Sequence, residues 1–127
     1  MPLQVVSYRA VQDLASMMQE TIDEGTGQRA RLPYLAAGKT GTSQDYRDAW
    51  FMGFSGRFAA GVWVGNDDNS SMKAVTGGSI PAAIWKDVMM AAYTQAQALG
   101  VSTQGAVQLG QPGMESGMDQ QYVNMDD

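Results

Sequence analysis

The run Ala37-Gly38-Lys39-Thr40-Gly41-Thr42-Ser43 concentrates more chemically useful groups than any other stretch of the sequence. Lys39 offers a positive charge to a carboxylate, and near a serine it can help to move protons. Thr40 and Thr42 offer hydroxyls to the same carboxylate. Gly41 lets a ligand or a neighbouring backbone approach closely, and the backbone N–H of Thr42 can point at a developing oxyanion. These roles suit an edge strand beside a cleft. A threonine-rich edge strand with a solvated lysine is the plainer alternative, and the run by itself fits both. A phosphate loop fits poorly. It needs a glycine five positions before Gly38, where Pro33 stands, and a helix straight after Thr40, where Gly41 and a second extended run follow.

The rest of the composition narrows the chemistry. The 127 residues include no cysteine and no histidine, so thiolate nucleophiles, disulfides and the usual zinc ligands are excluded. Acyl transfer would have to use lysine or a carboxylate as its base. Asp67-Asp68 lacks the spaced acidic pattern of a calcium loop, and the ten methionines suggest no metal role. No cofactor or metal is expected. The net charge of −5 lies mostly in residues 100–127, which carry Glu115, Asp119, Asp126 and Asp127 and no base. The first 99 residues are therefore near neutral with no basic patch, and nucleic acid is not an expected partner. No apolar run is long enough to span a bilayer, and no signal-peptide pattern opens the sequence.

The elements that must position the lysine-threonine run follow from periodicity. Ser7 to Glu24 reads as an amphipathic helix capped by Ser7, with Tyr8, Val11, Ala15, Met18 and Ile22 as its apolar stripe. Gly25-Thr26-Gly27 opens a loop to about Pro33, and Tyr34 to Thr42 is extended. Ala49 to Ser55 alternates Trp50, Met52 and Phe54 against Phe51, Gly53 and Ser55. Phe58 to Gly65 forms a second such strand, joined to the first by a Gly56-Arg57 hairpin. Asn66 to Gly78 is loop. Ser79 to Ala98 is a second helix, with Ser79 as cap and Ile80, Ile84, Val88 and Ala91 as its stripe. Residues 100–127 lack periodicity and read as a disordered acidic tail. The order predicts an α+β fold in which an antiparallel sheet of three strands is covered on its small-residue face by the two helices. Trp50, Phe51, Trp63 and Trp85 are expected in the core. Asp45 and Asp48 either brace Arg47 or the connecting loop or are plain surface charges. Thr76-Gly77-Gly78 either borders the cleft or simply turns the chain into the helix.

Taken together, Gly25-Thr26-Gly27, the run from Ala37 through Asp48-Ala49-Trp50-Phe51-Met52-Gly53-Phe54, Gly61-Val62-Trp63-Val64-Gly65-Asn66-Asp67-Asp68 and Thr76-Gly77-Gly78 before Ile84-Trp85-Lys86 resemble the transpeptidase domain of class A penicillin-binding proteins. The resemblance covers about Ser7 to Tyr93, near the C-terminal end of that domain. It implies residues 1–99 as part of the penicillin-binding and serine β-lactamase-like transpeptidase fold. It implies an activity in which a serine attacks the D-Ala-D-Ala end of a peptidoglycan stem peptide, passes the acyl group to a neighbouring amine, and is acylated by β-lactams. It further implies that Lys39, Thr40, Gly41 and Thr42 meet the substrate or β-lactam carboxylate, with Lys39 and Thr42 in the catalytic machinery and the Thr42 N–H in the oxyanion hole. Stem peptides, β-lactams and the remainder of the same domain are the implied partners. The implied location is the outer side of the bacterial inner membrane, reached through an anchor beyond this sequence, with a glycosyltransferase domain upstream.

Of the family's three motifs this sequence holds one. The Ser-x-Asn motif is absent, and the only Ser-x-x-Lys string, Ser70-Ser71-Met72-Lys73, follows the lysine-threonine run and sits among loop formers. It reads as chance, because the chemistry wants serine and lysine on one turn at a helix start. The nucleophile is therefore expected outside the sequence, the segment alone is expected to be silent, and its sheet is expected to leave an apolar patch around Trp50, Phe54 or Trp63. A non-catalytic binding remnant and a piece of a serine β-lactamase are the competing readings. The Asp48-Ala49-Trp50-Phe51 and Val64-Gly65-Asn66-Asp67 runs look more like the synthases than the lactamases.

Overall fold

The computed structural model describes residues 3–110. The elements run α1 (Tyr8–Asp23), β1 (Ala37–Thr42), β2 (Asp48–Ser55), β3 (Phe58–Gly65) and α2 (Ile80–Leu99), with short 3-10 turns at Gln28–Ala30 and Gln44–Tyr46. The strands form one antiparallel sheet in the order β1-β2-β3. Ser7 caps α1, its hydroxyl accepting from the Ala10 N–H at 3.2 Å. The β2–β3 hairpin turns at Gly56, whose φ of +56° is the positive value a two-residue hairpin loop demands.

Both helices pack on one face of the sheet. Phe51 and Trp85 are wholly buried and meet edge to face at 5.1 Å between ring centroids. Ile22, Ala30, Ala36, Ala82 and Met89 complete the core. The close approach of α2 depends on Gly53, where an added Cβ would lie 2.9 Å from the Trp85 ring. The Trp85 indole N–H is satisfied by the Ala60 carbonyl at 3.1 Å. At the hairpin end, Tyr93 stacks on Tyr34 and receives Phe58 edge-on.

Several expectations change. The buried stripe of α2 is Pro81, Ala82, Trp85, Met89, Tyr93 and Ala96; Ile80, Ile84, Val88 and Ala91 face outward. The helix is apolar nearly all round, so periodicity could not choose the face, and the large Trp85 and Met89 side chains took it. In α1 the buried residues are Gln12, Ala15, Gln19 and Ile22, while Tyr8 is exposed. Gln12 tolerates that position because its amide donates to the Tyr8 hydroxyl. Ser79 stands at the N-cap position of α2 but makes no side-chain cap; its hydroxyl closes the preceding turn by accepting from Thr76 N–H and donating to Thr76 O.

Trp50 and Trp63 lie outside the core, 45% and 44% exposed, on the sheet face that neither helix covers. The glycines divide accordingly. Gly53 serves the covered face, whereas Gly61 and Gly65 on β3 receive the side chains of Met52 and Trp63 on the open one. Residues 101–110, read in the sequence as the start of the tail, lie along the body. Thr103 O accepts from Arg57 N–H, and Gly110 exchanges two hydrogen bonds with the Gln19 carboxamide. Residues 111–127, the rest of that tail, fall outside the described residues.

Candidate functional site

The lysine-threonine run forms β1, and no described strand pairs with its outer edge. Register places Lys39 opposite Met52, Thr40 opposite Phe51, Gly41 opposite Trp50 and Thr42 opposite Ala49. Facing residues share a side of the sheet. Thr40 and Thr42 therefore lie on the helix-covered side with Phe51, and Lys39 and Gly41 on the open side with Met52 and Trp50.

Just beyond β1, Ser43 N–H donates to Asp48 O at 2.9 Å. In an antiparallel ladder, pairs that exchange hydrogen bonds alternate with pairs that do not. Lys39 and Gly41 thus spend their backbone groups on β2, and Thr40 and Thr42 turn theirs to the free edge. The Lys39 ammonium agrees with this, donating to the Thr40 carbonyl at 2.8 Å. In an extended chain the C=O of one residue and the N–H two residues on share an edge. A positive charge therefore stands beside the outward N–H of Thr42. Lys39 and Thr42 are exposed, and Thr40 and Gly41 are partly so. An anion arriving at this edge would meet an ammonium and outward backbone N–H groups, with two hydroxyls nearby that can donate or accept.

Two segments hold the covered side. Thr42 Oγ1 accepts from the Gly77 N–H at 3.1 Å, and Thr40 Oγ1 shares a hydrogen bond with Thr26 Oγ1 at 2.8 Å. Gly77 fits because it lacks a side chain: a Cβ there would sit 2.2 Å from Trp50 O and 2.8 Å from Gly41 N. Thr76-Gly77-Gly78 turns the chain into α2 and also touches β1 through Gly77. The roles of Thr26 and Gly77 were not deducible from the sequence, since they lie 14 and 35 residues from their partners. Only their glycine-threonine composition marked them.

The loop after Thr42 packs on the loop after β3. Tyr46 O accepts from Met72 N–H, and the Arg47 guanidinium donates to Asn69 O. Asp48 braces Ser43 and the Trp63 indole N–H rather than Arg47. Asp45, Tyr46, Asn69 and Ala74, the non-glycine residues with positive φ among those described, all lie in these two loops. The Ser70 hydroxyl and N–H hold the Asp68 carboxyl below its ordinary range. Ser70 and Lys73 sit in this exposed loop, not on a helix start, so the Ser-x-x-Lys string has no catalytic geometry. A cavity of about 410 Å³ lies elsewhere, lined by Ile22, Asp23, Arg31, Leu32 and Tyr34 among others, and includes no residue of the Lys39–Thr42 run.

No protein-family model matches the chain. Individual proteins do. It is 40% identical over 92 residues to penicillin-binding protein 4 of Bacillus subtilis, covering 71% of the chain and 15% of that protein. It is 45% identical over 75 residues to penicillin-binding protein 1A of Aquifex aeolicus, covering 58% of the chain and 10% of that protein. It is 39% identical over 89 residues to penicillin-binding protein 1B of Haemophilus influenzae, covering 68% and 11%. The chain therefore belongs with the penicillin-binding proteins, as the resemblance implied. It spans only 10 to 15% of the length of these relatives.

Proposed function

We propose that the chain is the segment of a peptidoglycan D,D-transpeptidase that supplies the carboxylate-binding and oxyanion strand. One observation carries this reading: the Lys39 ammonium, held on Thr40 O at the free edge of β1, beside the outward backbone of Thr42. The terminal carboxylate of a stem peptide, or that of a β-lactam, binds Lys39 and the hydroxyls of Thr40 and Thr42. Gly41 admits the ligand backbone close to the strand. The Thr42 N–H stabilises the oxyanion as a serine supplied from outside these 127 residues attacks the carbonyl. Lys39 keeps that site positive and assists proton transfer. The relatives' names support penicillin recognition and, with it, action in the bacterial cell envelope. Among the described residues no helix is long and apolar enough to cross a membrane.

The test is covalent labelling with a fluorescent penicillin. The chain alone is expected to stay unlabelled. A protein that carries it in frame with Ser-x-x-Lys and Ser-x-Asn segments is expected to label. Lys39→Ala in that protein is expected to slow acylation about 100-fold or more, in the range of a lost oxyanion donor or acid–base group. Acylation at an unchanged rate would overturn the role given to Lys39. The carboxylate grip does not itself require a nucleophile, so reversible, non-covalent binding of the same ligands is the second reading.

A further inference from the structure

The two threonine hydroxyls of β1 can serve a carboxylate only as donors. A hydroxyl has one proton to give and two lone pairs to receive with. If its proton is spent inside the protein, it meets a carboxylate with oxygen facing oxygen. Thr42 escapes this because Gly77 N–H can only donate; the Thr42 oxygen accepts that bond at 3.1 Å and its own O–H stays available. Thr40 is paired with Thr26 Oγ1 at 2.8 Å, a contact that can run either way.

We propose that Thr26 is a positioning residue. Its hydroxyl donates to Thr40 Oγ1 and so turns the Thr40 proton outward, matching what Gly77 does for Thr42. The spacing of the strand and the charge of Lys39 favour this direction, and packing holds Thr26 in place for it. Thr40 and Thr42 stand two residues apart on one side of an edge strand, roughly 6.6 Å along the chain, a span one carboxylate can bridge with a hydrogen bond of about 2.7 Å at each end. Lys39, one residue away, favours an anion there and so a donating Thr40. The segment carrying Thr26 is also fixed against the turn that carries Gly77, since a Cβ on Gly78 would lie 2.2 Å from Thr26 O. The two hydroxyls are thus supported from one connected block.

This inference rests on the carboxylate reading, and the experiment separates the two. The chain is titrated by NMR with N-acetyl-D-alanyl-D-alanine and with the same dipeptide ending in a carboxamide, using the wild type, Thr26→Val, Thr26→Ser and Thr42→Val. Thr26→Val keeps the shape and removes the hydroxyl. It is expected to weaken the carboxylate ligand about tenfold or more, the scale of a hydrogen bond to a charged group, with little change for the carboxamide. Thr26→Ser is expected to restore wild-type affinity, which a merely structural role for the threonine methyl would not allow. If Thr42→Val loses carboxylate binding while Thr26→Val does not, the role of Thr26 is overturned and the site stands. If the wild-type chain does not prefer carboxylate to carboxamide, the site reading fails, and the role of Thr26 with it.

Discussion

The Ser55 hydroxyl is buried, donates to Leu35 O at 2.6 Å, and so must accept from the Tyr93 hydroxyl at 2.7 Å. One serine thereby satisfies the loop before β1 and the far part of α2. Ser55→Ala is expected to cost about 1–3 kcal/mol, because it leaves the buried Tyr93 hydroxyl and the partly buried Leu35 carbonyl without this bond; urea denaturation measures it. The same arithmetic of donors and acceptors governs the site, where Gly77 and Thr26 decide which way the β1 hydroxyls point. At this scale the sequence was informative about identity and silent about partnership. Lys39, Thr40 and Thr42 stood out as a group from their types and spacing. Nothing local linked Thr42 to Gly77, since such a contact exists only once the sheet and the following loop have closed on each other.

β2 and β3 were legible almost to the residue, because their alternation has a period that only a pleated sheet uses, whereas β1 begins at Ala37, three residues after the extended run expected from Tyr34. The helix faces were less so. In α2 nearly every position is apolar or small, and two stripes compete: Ile80, Ile84 and Val88 outward, Trp85, Met89 and Tyr93 inward. The choice follows from the sheet. Gly53 leaves room for the Trp85 indole, and Ala60 O accepts its N–H. Trp85→Ala is expected to cost about 3–5 kcal/mol and Met89→Ala about 2–5 kcal/mol. Val88→Ala is expected to stay within about 0.5 kcal/mol. A series of thermal or urea unfolding curves on the three variants distinguishes the two faces, and equal losses would reinstate the sequence-derived stripe.

At the scale of the whole molecule, the asymmetry of the sheet dominates. One face carries both helices. The other presents Trp50, Met52 and Trp63, each close to half exposed, with Lys39 and Asp48 the charges that register places among them. Such a surface favours association. The chain in isolation is expected to sediment with a concentration-dependent mass, and Trp63→Lys is expected to shift it towards monomer. A monomeric wild type at high concentration would show that the open face tolerates water. The sequence anticipated this patch through Trp50 and Trp63 while also placing both rings in the core. Composition shows that a residue is apolar, not which side of a two-layer fold holds its partner.

The three tryptophans also make a built-in optical gauge. Trp85 is sealed between sheet and helix and should emit towards the blue, untouched by iodide. Trp50 and Trp63 should emit towards the red and quench readily. Whatever comes to lie on that side of the sheet will therefore announce itself as a loss of the quenchable, red-shifted fraction, with no dye or tag attached.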